Sequence, residues 1–181
     1  MFRRASLLLS LLCLPAVLTA CGLFGGAGTQ LSASLNPTQI GFEVSTSGEI
    51  EIISNNVTFR NPPGAAEATV TGYEIQVYDE AGSEFLGIGS ELFNHHLAIP
   101  VPAGYVCADS EVQNCSLGTR TPQATNSEPV PFVFLDGPTA IVLLDSGLNR
   151  ARAEVTFYAH RGGSAFQWTE SVTVTYPVGD E

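Results

Sequence analysis

Apolar and polar residues alternate with a period of two along most of this chain, and this alternation is the strongest constraint on its fold. From Arg150 to Arg161 every second residue is Ala, Val or Phe, and the residues between are mostly polar. Successive side chains of a β-strand point to opposite faces, so the pattern predicts a strand with one buried face. A Gly162-Gly163 turn follows, and residues 164–176 return with the same period. The chain therefore ends in a predicted β-hairpin.

Further strand signals run through the rest of the chain, and no window shows an apolar stripe of helical period and length. The predicted strands are 49–53, 57–60, 69–79, 84–88, 97–101, 132–135 and 140–144. Pro100 and Pro102 lack an amide hydrogen, which predicts that their strand lies at a sheet edge. Glu170 interrupts the last strand and predicts a bulge or a portion beyond the core. Residues 108–131 are polar and predict the longest loop.

Seven to nine short strands separated by turn signals predict an all-β fold, an antiparallel β-sandwich over residues 31–181. A lipocalin-type barrel is the alternative. The arrangement is similar to immunoglobulin-like or fibronectin type III-like domains of exported bacterial proteins. The segments that carry this resemblance are VTFRNPP at 57–63, VTGYEIQVYDEAG at 70–82 and the final hairpin. Trp168 follows both cysteines of the domain, so the Cys-Trp-Cys order of antibody domains is absent.

The first twenty residues have the three parts of an export signal. Arg3 and Arg4 precede an apolar run from Leu7 to Val17, and small residues follow. The run is shorter than the roughly 20 residues that a membrane span needs, so it predicts a signal peptide. Leu18-Thr19-Ala20-Cys21 resembles the lipobox of bacterial lipoproteins. An ordinary secretory signal with an incidental cysteine is the alternative.

The lipobox resemblance implies that residues 1–20 are removed and that the Cys21 thiol receives a diacylglycerol. It also implies an acyl chain, such as palmitate, on the new amino terminus. Several acyl chains anchor a protein stably in a membrane. Gly-rich residues 21–30 then form a flexible tether to the domain. Because residue 22 is Gly and not Asp, the resemblance favours the outer membrane of the cell envelope, if the organism has one.

The charge balance excludes one class of partner. The chain has 18 acidic and 7 basic residues, for a net charge of −11, and removing Arg3 and Arg4 leaves about −13. Binding to nucleic acid needs a basic face, so we expect no nucleic-acid partner. An acidic body is expected to stand away from anionic lipid headgroups and to prefer cationic partners or divalent metals.

Two cysteines, Cys107 and Cys115, remain once the signal is removed and Cys21 is lipidated. A single pair in an exported protein predicts a disulfide. The alternative, two thiolate ligands of a metal site, lacks the short C-x-x-C spacing and nearby histidines.

The sequence offers no catalytic constellation and no cofactor motif. Neither a G-x-S-x-G motif nor a His-x-His pair occurs, so we expect neither a hydrolase site nor a transition-metal site. Calcium is more plausible than these, though a weak candidate, because Asp79, Glu80 and Glu84 offer hard oxygen ligands, as do Asp109 and Glu111. The regular D-x-D-x-D-G loop is missing.

Phe85, Phe93 and Tyr105 flank the predicted edge strand and are candidates for an exposed apolar patch. The leading hypothesis is therefore a non-enzymatic lipoprotein of the cell envelope, held in the membrane through Cys21. Its β-sandwich is expected to bind another envelope protein through sheet edges or loops between residues 85 and 115. The alternative is a calcium- or small-ligand-binding module. An enzyme is the third hypothesis, because a sandwich fold does not decide among these functions.

Overall fold

The computed structural model describes residues 30–84, 93–94, 96–108 and 115–176, and the chain from Leu31 onward forms one compact unit. The described residues hold thirteen strands, one α-helix and one 3₁₀ turn. The strands are β1 Ser32–Asn36, β2 Ile40–Val44, β3 Ile50–Ile52, β4 Asn55–Asn61, β5 Ala68–Tyr78, β6 Phe93–Asn94, β7 Ile99–Val101, β8 Tyr105–Cys107, β9 Arg120–Pro122, β10 Thr125–Asn126, β11 Val130–Phe132, β12 Arg150–Arg161 and β13 Ser164–Thr175. The helix α1 spans Gly137–Asp145, and the 3₁₀ turn spans Leu117–Thr119.

Two main sheets form a β-sandwich, as predicted. The smaller sheet has the order β1-β4-β10, with β11 pairing β4 as well. The larger sheet has the order β3-β2-β13-β12-β5-β6, with β7 pairing β5 as well. A short pair, β8 and β9, stands apart from both. All pairings are antiparallel except that of β2 with β13, which is parallel.

Aromatic rings from the two sheets meet in the centre of the sandwich. Phe59 of the smaller sheet packs edge-on against Phe157 and Trp168 of the larger one, with ring centroids 5.2 and 6.1 Å apart. Edge-to-face contacts of this kind add to the free energy gained by removing apolar area from water. Phe42 and Phe134 are also fully buried. The core therefore lies between the sheets, and its largest fully buried side chains are phenylalanines.

The C-terminal hairpin is confirmed in its bounds and its orientation. β12 and β13 pair without interruption, with Phe157 opposite Trp168, and their turn is Gly162-Gly163. The residues predicted to face inward on β12 are all buried. The bulge predicted at Glu170 is wrong, because Glu170 pairs in register with Val155. Its carboxylate turns towards the other sheet and accepts a hydrogen bond from the Ala33 amide at 3.1 Å.

The strand predicted at 140–144 is wrong, because these residues belong to α1. Asp136 caps the helix: its Oδ1 accepts a hydrogen bond from the Thr139 amide at 2.8 Å. Pro138 lies in the first turn, where a missing amide hydrogen costs nothing. The helix is apolar on nearly every side, so Ile141 and Val142 stay 49% and 40% exposed. A uniformly apolar helix has no stripe, and the helical period is therefore hidden in the sequence.

The long loop predicted at 108–131 is also wrong in part. Its described residues include β9, which pairs β8, and β10, which pairs β4. β9 has three residues and ends in Pro122, and β10 has two residues, so they are too short to show alternation. Strands β1 and β2 have no counterpart among the predicted strands, and the total exceeds the predicted seven to nine. The edge position of β7 agrees with prediction, since in the described part of the chain β5 is its sole ladder partner.

Candidate functional site

The sandwich has two ends, which we name proximal and distal. At the proximal end the chain enters β1, where Ser32 pairs with Arg60 of β4. The β12–β13 turn lies at the same end, because Arg161 hydrogen-bonds the last residue of β4, Asn61. The distal end holds the β2–β3 turn, the turn Asp79–Gly82 after β5, and α1, which packs against β3.

Asn61 organises the proximal end. Its side chain is fully buried, and its amide nitrogen donates to the carbonyl oxygens of Ala66 and Pro102, both at 2.8 Å. Its Oδ1 accepts a hydrogen bond from Arg161 at 2.8 Å. Burial lowers the pKa of Arg161, whose guanidinium also lies 5.1 Å from the centre of the Phe166 ring. One asparagine thus ties two loops to the end of the hairpin.

Gly104 allows these two loops to touch. Its amide donates to the Ala65 carbonyl at 2.8 Å, and its own carbonyl accepts from the Gly64 amide. A Cβ atom at this position would lie 1.9 Å from the Pro62 carbonyl oxygen, which belongs to the backbone and has little room to move. Only glycine fits this close approach of two backbones.

Beside this contact lies a recess of about 470 Å³, the Tyr105 cleft. Its walls include Tyr105, Pro122 and Arg120, and its other lining residues are mostly alanines. The Arg120 guanidinium lies 4.3 Å from the centre of the Tyr105 ring, a cation–π contact. Arg120 also donates from Nε to the Cys115 carbonyl at 2.9 Å. The cleft therefore has one aromatic and one cationic group held in fixed positions.

Cys107 and Cys115 lie at disulfide-bonding distance, with Cα atoms 5.6 Å apart. Cys107 ends β8, which carries Tyr105, and Cys115 holds Arg120 through its carbonyl oxygen. The pair thus links the segments that bring the tyrosine and the arginine together. This agrees with the predicted disulfide and gives it a role in shaping the Tyr105 cleft.

A second recess of about 570 Å³, the His160 cleft, adjoins the first. Ile99, Val101 and Val130 supply apolar surface, and Glu128 and the exposed His160 supply polar groups. Glu67 lines both clefts, so they are neighbours at the proximal end. Concave apolar surface with a few fixed polar groups is typical of binding sites.

The predicted partner surface is only partly placed by the structure. Tyr105 is half-buried on β8 and lines the Tyr105 cleft. Phe93 lies on β6, but its side chain is outside the described residues, as are Phe85 and Cys21. The sequence analysis missed Asn61, Gly104 and Arg120, because their roles depend on loops that meet only in the folded chain.

The calcium candidates are not brought together as a ligand set. Asp79 Oδ1 accepts a hydrogen bond from the Ser83 amide at 2.7 Å and so stabilises its own turn. Asp79 and Glu80 line a recess with Arg150 and Arg152, whose positive charges disfavour a cation there. Across the described ranges no three His, Cys, Asp or Glu residues are close enough to hold a metal ion. Asp109 and Glu111 are outside those ranges.

Charged side chains are divided unequally between the two ends. In the described residues, the distal end has eight carboxylates and two guanidinium groups, and the proximal end has two carboxylates and three guanidinium groups. The distal set is Glu43, Glu49, Glu51, Asp79, Glu80, Glu84, Asp136, Asp145, Arg150 and Arg152. The proximal set is Glu67, Glu128, Arg60, Arg120 and Arg161. Counting the described residues alone, the distal end is strongly acidic, and the proximal end has no acidic excess.

Comparison of the sequence with models of known protein families found no match, and comparison with curated proteins also found none. Among the helices of the described chain, none has the length and apolar character required to cross a membrane.

Proposed function

We propose that this chain is a lipid-anchored, non-enzymatic lipoprotein of the cell envelope whose immunoglobulin-like domain binds a partner protein at its proximal clefts. The observation that carries the proposal is that the Tyr105 and His160 clefts lie side by side at the proximal end, with Glu67 lining both. Together they offer apolar surface, one aromatic ring and groups of both charges in one place. Such a mixture suits a protein surface, because hot spots at interfaces are enriched in tyrosine and arginine.

The strand order supports the immunoglobulin-like assignment. Strands β1, β4 and the pair β10–β11 occupy the places of strands A, B and E in that fold. Strands β5, β12 and β13 then occupy the places of C, F and G. The chain crosses between the sheets from β4 to β5 and again from β11 to β12, as Greek-key connections do.

The lipid anchor rests on the lipobox Leu18–Cys21 and the export signal before it. It is tested by growing cells with labelled palmitate, separating the proteins by size on a gel and measuring the label in the band of this protein. We expect label and membrane fractionation for the native chain and neither for Cys21→Ser. The matched control is Cys13→Ser, which removes a cysteine from the signal but should leave lipidation intact. Equal labelling of the Cys21→Ser chain would contradict the anchor.

Partner binding is tested by crosslinking in intact cells, with Tyr105→Ala compared against Tyr78→Ala. Tyr78 lies at the distal end of β5, stacked on Arg152, and is a tyrosine of similar exposure. We expect the crosslinked species to be lost with Tyr105→Ala and kept with Tyr78→Ala. Both variants are first checked for folding by the fluorescence of the buried Trp168. An unchanged crosslink in Tyr105→Ala would contradict the assignment of the cleft.

The clefts are better candidates than the sheet edges that the sequence suggested. We name the open side of the sandwich the one formed by the edge strands β6 and β7 of the larger sheet and β10 and β11 of the smaller sheet. Pro100 lies in β7 and Pro131 in β11. A proline cannot donate to an added strand, so these edges are poor templates for strand addition.

A further inference from the structure

We propose that the domain is oriented by an anionic membrane surface, with its proximal end towards the bilayer and its distal end away from it. The inference rests on the proposed anchor at Cys21, because only an anchored domain stays within reach of the surface field. It arises from the unequal division of charge between the two ends.

The two ends are far enough apart for the membrane to distinguish them. Strands β12 and β13 run from one end to the other and have twelve residues each. At the usual rise per residue, a strand of this length extends about 40 Å. The Debye length at physiological ionic strength is about 8 Å. The end that faces the bilayer therefore senses the surface potential, and the other end is screened from it.

Turning the distal end towards an anionic surface would bring its excess of carboxylates into that potential. Glu43 and Glu51 are directly opposite each other on β2 and β3 and are both exposed, so they add to one local negative field. Within the ranges that the structure describes, the proximal end carries no such excess, and its Arg60 is exposed. Anionic headgroups therefore repel one end and tolerate the other.

This orientation limits the kinds of partner protein that could reach the clefts. The Tyr105 and His160 clefts belong to the proximal end, so they would face the bilayer side. The exposed residues Ile141 and Val142 of α1 would face away from it. The partner that reaches the clefts is then a protein embedded in the same membrane or lying on its surface.

The test uses the lipidated protein in vesicles of phosphatidylcholine with or without phosphatidylglycerol, and a fluorescent acceptor on the lipid. A donor is attached at Ser47→Cys in the β2–β3 turn or at Ser164→Cys at the start of β13. On anionic vesicles we expect strong energy transfer from position 164 and weak transfer from position 47. On neutral vesicles, or in 1 M salt where the Debye length is about 3 Å, the energy-transfer efficiencies from the two positions should become more similar.

Charge reversal supplies the matched control. Glu43→Lys, Glu49→Lys and Glu51→Lys together should abolish the difference between the two labels on anionic vesicles. Glu67→Lys with Glu128→Lys changes charge in the same direction at the proximal end. This variant should preserve or increase the difference in energy transfer between the two labels. Equal transfer from both labels on anionic vesicles would overturn the proposed orientation. A difference that persists on neutral vesicles and in 1 M salt would also overturn it, because the tether that enters β1 at the proximal end would then set the orientation without the surface charge.

Failure of the anchor is seen separately, as a chain that does not float with the vesicles. In that case the proposed function fails at Cys21. The orientation is then measured after a lipid has been coupled enzymatically to the amino terminus at residue 21. The same two labels, read in the same way, support or overturn the orientation.

Discussion

Two buried asparagines mark the two ends of strand β4 and show how differently those ends are built. Asn55 at the distal end and Asn61 at the proximal end are both fully buried, and each donates two hydrogen bonds to backbone carbonyls. Asn61 also accepts a hydrogen bond from Arg161, whereas Asn55 Oδ1 has no partner in the described chain. The Asn61 side chain therefore makes all of its hydrogen bonds, whereas the Asn55 side chain keeps an unpaired oxygen. The fully bonded asparagine is the one beside the clefts.

The largest effect is expected where the proximal loops touch. Gly104→Ala places a methyl group against the Pro62 carbonyl, so we expect it to lower the free energy of unfolding by at least about 3 kcal/mol. Gly118→Ala is the control, because its Cβ would meet nothing within 4 Å. Urea unfolding followed by Trp168 fluorescence measures both. Similar unfolding midpoints for the two variants would mean that the proximal loops shift to accommodate the methyl group at little cost in free energy.

The two asparagines can be compared directly. Asn61→Ala should cost about 3 kcal/mol, because it removes two hydrogen bonds to backbone carbonyls and one hydrogen bond from a guanidinium. Asn55→Ala should cost about half as much, since it also removes an unsatisfied oxygen. The same unfolding measurement gives both values. If Asn55→Ala proved the more costly of the two, the distal end would be the better satisfied one.

Loss of the disulfide should weaken the proximal end without affecting the distal one. For a closed loop of this size, the chain-entropy model gives about 2.5 kcal/mol for the double variant Cys107→Ser, Cys115→Ser. Amide hydrogen exchange should become faster in β8 and β9, because the bond links these segments. Exchange in α1 serves as the internal control and should not change. Faster exchange throughout the domain would show that the two ends are not independent.

The smallest effect is expected at the distal helix. Asp136→Ala removes the N-cap of α1 and should cost about 1 kcal/mol. Asp145→Ala is the matched control at the other terminus of the helix. A carboxylate there opposes the helix dipole, so its removal should be neutral or slightly stabilising. Thermal unfolding distinguishes the two, and equal melting temperatures would count against the cap.

The sequence predicted what depends on long, continuous periodicity. Strands β12 and β13 extend over twelve residues each, so their alternation is visible without knowledge of the fold. Helix α1 was predicted as a strand, strands β9 and β10 were missed, and β11 was predicted two residues too late, because a uniformly apolar helix and strands of two or three residues carry no period. The clefts could not be predicted either. Asn61 and Gly104 act on loops distant in sequence, and nothing local distinguishes them from ordinary turn residues.

The strands along the open side of the sandwich are broken in the same way in both sheets. Beside β4 lie β10 and then β11, and beside β5 lie β6 and β7, so each border consists of two short pieces. A long, flat border would act as a template for amyloid-like growth when many copies are crowded together. The proposed lipid anchor would concentrate the protein in two dimensions. Interrupted borders with Pro100 and Pro131 would then allow neighbouring copies to remain separate at that density.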